Sequence, residues 1–298
     1  MKKVYLSILT ACLICQPFLI TAQISPLSDK QKVKNYLPHM TSNEIDSLLQ
    51  KSDLVIIPVG ALEQHARHLP IGTDFLNGVE LCKLIAQESD ILVAPVLMAG
   101  QSPYHMGFAG TITLSAETVI KVHMEAVQSL IEHDFKRFII MSSHGGNDAI
   151  VDFIVDQVNQ TTSGIAVNYD KAIEPFLEPI QSYGGHAGTG ETSKSLYLIP
   201  NLVKMNRIGT TTNTLPKHLK DIQGSVASDP TTRLVFLAEI LKDESTGKKT
   251  SSSEISSSGV VGPFELEKTN VKFGEDIVLR NVEAAIRFID KWNNLVKK

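Results

Sequence analysis

Short apolar runs alternate with amphipathic stretches along this chain, and this alternation limits its fold more than any other feature. Four apolar runs have the length of buried strands, at residues 54–59, 91–96, 138–141 and 165–168. Stretches with helical spacing lie around them, at residues 77–87, 116–133, 149–158, 191–198 and 276–296. Strands separated by helices predict an α/β fold with a mostly parallel sheet that helices cover on both faces.

A polar, glycine-rich loop follows each predicted strand. The four loops lie at residues 60–74, 100–111, 142–147 and 184–191. Right-handed crossovers place the loops that follow parallel strands along one edge of the sheet, which is where sites usually form. We therefore expect the four loops to converge on one pocket.

The first 22 residues have the pattern of an export leader. Two lysines precede a nearly unbroken apolar run, residues 4–21, and the small residue Ala22 ends it. The same segment also fits an uncleaved membrane anchor, or a lipid anchor at Cys12. We expect a periplasmic or secreted protein, with 23–298 as a single domain and no membrane span once the leader is removed.

Composition restricts the partners and cross-links of the chain. The formal net charge is −4 over 298 residues, which argues against nucleic acid as a partner because such binding usually requires a basic face. Without the leader the chain keeps one cysteine, Cys82, so no internal disulfide is possible. Residues 245–259 are rich in Ser and Lys, which predicts a mobile surface loop that is not part of a site.

Carboxylates and imidazoles are concentrated in the first and third loops. Glu63 and His65 alternate, so they point the same way if the segment is extended. Asp74 follows a Pro/Gly turn that can fold the chain back, and His144 comes directly after the third strand. Each residue alone also fits a surface or capping position. Together they form a mixed O/N set that suits one or two divalent ions of zinc, manganese or iron.

The second and fourth loops add further candidates. His186 is a candidate general acid or base, because the ordinary pKa of histidine lies near working pH. Glu191 is a candidate metal ligand, with a hydrogen bond to a ligand or a favourable place in a first helical turn as the alternatives. His105 either lines the substrate pocket or packs structurally. His68 either orients a carboxylate or lies on the surface.

Four segments, in this order, resemble the creatininase (creatinine amidohydrolase) family. They are PVGALEQHARHLPIGTD, GQSPYHMGFAGTITLS, SSHGGND and GGHAGTGETS, and they span residues 58–193. A looser match begins at Gly259. The resemblance implies a three-layer α/β/α fold, a divalent-metal site and a homo-oligomer, often a hexamer.

The resemblance also implies roles for single residues. It places four residues on the metal ligands of the family: Glu63, His65, Asp74 and His144. Asp74 falls on the bridging aspartate, His186 on the position linked to proton transfer, and Ser102 in the substrate loop.

One departure from the family bears on the substrate. Creatininase itself has a glutamate two residues beyond the histidine of the third loop, where this chain has Gly146. Formamide-hydrolysing and peptide-maturation relatives share the His-Gly-Gly-Asn of this chain. Gly146 therefore argues against creatinine as the substrate more than against hydrolysis. Either Glu191 supplies the missing ligand, or the site holds one tight and one weak ion.

We predict an exported amidohydrolase that cleaves a non-peptide C–N bond in a small amide, either a cyclic amide such as creatinine or a formamide. A metal-activated water would attack, and His186 would protonate the leaving nitrogen. The metal and the N–H groups of Gly145 and Gly146 would hold the oxyanion. The alternatives are an exported binding protein without turnover and a peptide-trimming metal hydrolase.

Overall fold

The computed structural model describes residues 31–180, 185–212, 252–253, 256–262 and 264–296. The helices and strands given below belong to the unit Val33–Lys298. The predicted leader, residues 1–22, lies outside the described residues, as does much of the Ser/Lys-rich run at 245–259. The described residues contain the sheet, the helices that cover it and most of the polar loops between them.

Four parallel strands form the sheet of the described residues, in the order β2-β1-β3-β4. The strands are β1 Leu54–Val59, β2 Leu92–Val93, β3 Arg137–Ser142 and β4 Ile165–Asn168. The predicted second strand is cut short before Pro95, which has no N–H to donate to a neighbouring strand. The chain order reverses between β1 and β3, and in parallel sheets ligands bind in the crevice at such a reversal.

Helices cover both faces of the sheet and confirm the three-layer α/β/α prediction. The helices are α1 Ser42–Leu49, α2 Thr73–Gln87, α3 Ala116–Glu132, α4 Asp148–Thr161, α5 Tyr169–Ile173, α6 Thr189–Leu198 and α7 Val271–Val296. Alternate side chains of β1 enter opposite cores, as the pleat of a strand requires. Val55 and Ile57 pack with α3 and α4, whereas Leu54 and Ile56 pack with α2 and α7.

None of the helices in the described part of the chain combines the length and the apolar character needed to span a bilayer. Cys82 is buried in the core on the α2 side, as expected for a packed thiol. Ser115 accepts a hydrogen bond from the backbone N–H of Thr118 at 3.2 Å, so it caps α3 as its sequence position predicts.

Helices α2, α4, α6 and α7 begin earlier than their apolar spacing predicts, and the first turns of α2 and α6 each carry a candidate ligand. The N–H of Thr73 donates to the carbonyl oxygen of Pro70 at 3.1 Å, and this turn starts α2. Asp74 therefore lies in the first turn of α2, and Glu191 lies in the first turn of α6. The partial positive charge at a helix N-terminus favours a carboxylate at such a position.

Candidate metal centre

The loops after β1 and β3 and the start of α6 bring five candidate residues into one cluster: Glu63, His65, Asp74, His144 and Glu191. The first four are at most 7% exposed, and the side chain of Glu191 is 16% exposed. Charged side chains are rarely buried at this level unless they are paired or bind a metal. The crevice between β1 and β3 thus holds the residues that the sequence singled out.

The two oxygens of Asp74 face two different histidines. Its Oδ1 lies 3.2 Å from His65 Nε2, and its Oδ2 lies 3.2 Å from His144 Nδ1. Glu191 Oε2 completes the first group, 3.4 Å from His65 Nε2. Glu63 Oε1 completes the second, 3.3 Å from His144 Nδ1. Bonds of ~2.1 Å in a tetrahedral arrangement place ligand atoms about 3.4 Å apart, so both groups have the spacing of metal ligands.

Backbone carbonyl groups fix which nitrogen of His65 and His144 carries a hydrogen. His65 Nδ1 lies 3.2 Å from the carbonyl oxygen of Glu63, and His144 Nε2 lies 3.0 Å from that of Gln101. A carbonyl oxygen can only accept, so the nitrogen facing it donates. In the neutral rings the lone pair then sits on the other nitrogen, and that nitrogen faces carboxylate oxygens.

His186 shows the same arrangement. Its Nε2 donates to the carbonyl oxygen of Gln64 at 2.6 Å, and its Nδ1 lies 3.3 Å from Glu63 Oε1. A lone pair and a carboxylate oxygen repel each other unless a proton or a cation lies between them. Metal-binding histidines characteristically donate their second N–H to a backbone carbonyl or a carboxylate, as these three rings do. His186 therefore lies within reach of the same centre, in a third possible ligand group with Glu63 and His65.

The carboxylates and imidazoles shift one another's pKa values. Burial lowers the pKa of His65, but the charges of Asp74 and Glu191 outweigh it and raise that pKa well above its usual value. Burial likewise opposes hydrogen bonds from His144 to Asp74 and Glu63, which together raise the pKa of His144 to about 10. Hydrogen bonds from His144 and His186 outweigh burial at Glu63 and hold its pKa well below its usual value. Without a cation, protons occupy the space between these groups.

Metal binding at this centre is therefore expected to release protons. At about pH 7 the free protein holds a proton on both His65 and His144, so binding of Zn²⁺ should release about two protons per chain. Affinity should rise with pH up to about 10, the pKa of His144. The stability of the metal-free protein should change with pH in the opposite direction to metal affinity. The raised pKa of His144 stabilises the fold below the ordinary histidine pKa, and that contribution is lost as pH rises through about 10. Titration calorimetry in buffers of different ionisation enthalpy measures the release, and a heat independent of buffer would contradict it.

Ser102 and His105, the candidate substrate residues, pack against Glu63 and His186. The hydroxyl of Ser102 donates to Glu63 Oε2, and Ser102 is fully buried. The ring of His105 stacks on that of His186 with centroids 4.1 Å apart. Burial and the neighbouring His186 lower the pKa of His105 to about 3, so the ring is neutral. Both residues therefore orient the centre.

His68 is buried, and its Nε2 lies 2.9 Å from Thr192 Oγ1, so the surface alternative for His68 is wrong.

The two glycines of the third loop, Gly145 and Gly146, differ sharply in the space around them. A Cβ on Gly145 would meet no atom within 4 Å, whereas a Cβ on Gly146 would collide with the hydroxyl of Tyr104 and with His144. The space beside His144 that a longer side chain would need is already occupied.

Three residues at the centre were not predicted from the sequence: Gln64, Tyr104 and Ser252. Gln64 Nε2 donates to the carbonyl oxygen of Gly259 at 3.1 Å and lies 3.0 Å from His105 Nδ1. Tyr104 Oη lies 2.8 Å from His144 Nε2. Position between two candidate residues was a usable signal for Gln64 and for Tyr104; Ser252 had none.

Ser252 also corrects the prediction for the Ser/Lys-rich run. Its hydroxyl lies 3.1 Å from His105 Nδ1, and it is buried together with Ser256 and Ser258. Within the described part of the run Ser252 therefore packs against the centre, and Ser257 is exposed. Composition predicted exposure because serine is polar, but each hydroxyl that finds a partner can be buried at little cost.

Comparison with known proteins gives a consistent family and several activities. The profile of the family described as "Creatininase: Creatinine amidohydrolase" matches residues 38–289. The chain is 29% identical to creatinine amidohydrolase of Pseudomonas putida over 198 residues, covering 58% of this chain and 75% of that protein. It is 30% identical to mycofactocin precursor peptide peptidase of Mycobacterium tuberculosis over 180 residues, covering 56% and 66%. It is 26% identical to 3-dehydro-scyllo-inosose hydrolase of Thermotoga maritima, covering 56% and 57%. The chain thus spans less than two thirds of the last two relatives.

Solved structures share the fold. A crystal structure of creatinine amidohydrolase matches with a TM-score of 0.60 at 22% identity, covering 87% of this chain and 97% of that chain. A manganese form of creatininase matches with a TM-score of 0.57 at 21% identity, covering 86% and 96%. The likeness extends over almost the whole of each creatininase chain and supports the three-layer arrangement.

Proposed function

This chain belongs to the creatininase family, and from that premise we propose that it is a metal-dependent hydrolase of a non-peptide C–N bond in a small amide. The observation that carries the proposal is the orientation of three histidines. In each ring one nitrogen donates to a backbone carbonyl, and the other faces carboxylate oxygens. This orientation suits a bound cation. The similarity to creatinine amidohydrolase of Pseudomonas putida supports the reaction class.

The residues fit a pair of divalent ions. In the described part of the chain, Glu63 Oε1, His65 Nε2 and Asp74 Oδ2 are buried and each faces another candidate ligand at 3.2–3.3 Å, which is costly unless a proton or an ion lies between them. One ion would be held by Glu63, Asp74 and His144, and the other by His65, Asp74 and Glu191. In this proposal Glu191 supplies the carboxylate that Gly146 cannot. Zinc and manganese are the first candidates, because creatininase structures exist in both forms.

A divalent ion bound here would supply a Lewis acid that polarises a carbonyl oxygen and makes a water molecule more acidic. The chain's own residues would then orient and move protons. Ser102 fixes one oxygen of Glu63 and leaves the other for the centre. His186 would hold a proton on Nδ1, beside Glu63, and deliver it to the leaving nitrogen. Gly145 leaves open space next to His144, where the amide of a substrate can approach.

Peptide trimming is the second candidate function. It is favoured by the 30% identity to mycofactocin precursor peptide peptidase. It differs from the first proposal in the length of substrate that must reach the centre. A panel of lactams, formamides and short peptides, assayed with the same protein, separates the two.

Metal removal tests the proposal directly. We expect a chelator to abolish hydrolysis of the preferred amide and added Zn²⁺ or Mn²⁺ to restore it, with metal content followed by mass spectrometry. Hydrolysis that survives complete metal removal would contradict the proposal. So would a metal-loaded protein that binds amides but cleaves none, a result that would favour a binding protein.

We also propose export and assembly as a homo-oligomer. The support for export is the sequence pattern of residues 1–22, and the support for assembly is membership of the family. Fractionation of cells that express the full chain, and the mass of the purified protein in solution, test the two separately.

A further inference from the structure

A cavity of about 150 Å³ adjoins the candidate metal centre. Asp74 on α2 and Glu191 on α6 line it, and so do Asn77 and Lys194, each three residues further along the same helix. Residues three apart share a helix face, one turn from each other. The cavity therefore begins at two candidate ligands and continues about one helical turn beyond them, where Asp170 at the start of α5 also lines it.

Two opposite charges, Lys194 and Asp170, line this cavity; the charge of Lys194 acts to lower the pKa of Asp170, but no close contact joins them. Among the described residues, neither Lys194 nor Asp170 has a side-chain hydrogen bond or an ion pair, whether with the other or with a third residue. Burial and the charge of Asp148 raise the pKa of Asp170. The Nδ2 of Asn77 donates to Ser195 Oγ at 2.8 Å, but the buried Oδ1 of Asn77 has no partner in the described part of the chain. A buried oxygen without a partner, such as Asn77 Oδ1, is costly, and a polar ligand would satisfy it. Lys194 is half-buried and Asp170 is exposed, so both are accessible to such a ligand.

We propose that this cavity is the specificity pocket of the hydrolase and that it selects small amides bearing a carboxylate. Lys194 would bind the carboxylate through a charge-assisted hydrogen bond. Asp170 and Asn77 Oδ1 would accept N–H groups of the same molecule. The proposal rests on the proposed function, because it places the amide of that molecule at the neighbouring metal centre.

The size of the cavity supports a small substrate. Pockets that hold drug-sized ligands measure roughly 300–1,000 Å³, and this one measures about 150 Å³. A second cavity, of about 870 Å³, lies at the amino ends of β1 and β3 and holds none of the candidate ligands. Its Arg137 is already paired with Asp53 at 2.6 Å. Of these two cavities, the small one adjoins the candidate metal centre.

A simpler role for Lys194 makes a different prediction. The charge of Lys194 helps to lower the pKa of Glu191, and Lys194 could do no more than offset that carboxylate. Loss of the lysine would then alter metal affinity and slow hydrolysis of every amide equally. Selection of a carboxylate predicts instead that only the charged substrate suffers.

The test compares matched amides that differ only in a carboxylate: N-formylglycine with N-ethylformamide, and 5-oxoproline with 2-pyrrolidinone. Full-length, metal-loaded protein is assayed for kcat/KM and, by calorimetry, for binding. We expect wild type to favour the charged member of a pair, and Lys194→Met to reduce that preference by at least about tenfold. Lys194→Arg should retain most of the preference. Lys121→Met, which removes an exposed charge on α3, should leave it unchanged.

The pocket proposal would be overturned if wild type showed the same kcat/KM for the charged and the uncharged amide of each pair. It would also be overturned if Lys194→Met kept the wild-type preference, or if wild type bound none of the four amides. Binding of the charged amide through Lys194 without any cleavage would support the pocket and sink the proposed hydrolase. Cleavage of both members of a pair with no preference would support the proposed hydrolase and contradict the pocket. The two proposals thus fail separately.

Discussion

An Asp74→Asn variant is expected to lose its bound metal and, with it, hydrolytic activity by a factor on the order of 10³ or more. The two oxygens of Asp74 face two different histidines, His65 and His144, each at 3.2 Å. Asparagine has nearly the same shape, but it is uncharged and turns one oxygen into an N–H donor. That donor would point at one ligand group in place of an acceptor, and the amide oxygen that remains is an uncharged and weaker ligand for the other ion.

The matched control is Asp156→Asn. Asp156 lies on α4, where it accepts a hydrogen bond from the side chain of Gln160 at the surface. Mass spectrometry of the metal-replete proteins should find one or two ions per chain in the control and only a small fraction of that in Asp74→Asn. A normal metal content in Asp74→Asn would show that Asp74 does not bridge the centre. Circular dichroism of both variants checks that the fold is intact.

The fold was predictable because its signals are local. Strand β4 begins and ends at the residues that its apolar run predicts, and the helix cap at Ser115 is read from two neighbouring positions. Helix α2 was predicted to start too late, because it begins with the polar residues Thr73 and Asp74 and its start is set by the turn at Pro70. Hydrophobic spacing cannot reveal a helical turn that carries ligands.

The candidate site was predictable in its residues but not in its orientation. Glu63, His65 and His144 were found because each follows a strand. The direction of the His144 ring depends on the carbonyl of Gln101, which is 43 residues away in the chain. The contact of Ser252 with His105 spans 147 residues and lies in a run whose composition predicts a surface. Contacts over such distances follow from packing, and one sequence does not encode them in any readable pattern.

The closed space at Gly146 gives a second large expected effect. In Gly146→Ala the new Cβ would overlap the hydroxyl of Tyr104 and Nε2 of His144, and it would lie 2.7 Å from the carbonyl oxygen of Gln101. These are the groups that orient His144. We expect the variant to lose about 1–3 kcal/mol of unfolding free energy. Because His144 must move, metal affinity should fall by roughly 10–100-fold.

The adjacent glycine provides the control. Gly145→Ala places its Cβ in open space and should leave the unfolding free energy and the metal affinity near wild type. Tyr104→Phe removes one of the colliding atoms, so Tyr104→Phe/Gly146→Ala should recover part of the lost stability in a double-mutant cycle. Denaturant unfolding and metal titration measure both quantities. Equal effects of the two alanine substitutions would mean that Tyr104 does not fill the space beside His144. A large effect at Gly146 alone would explain physically why this chain carries no carboxylate at that position.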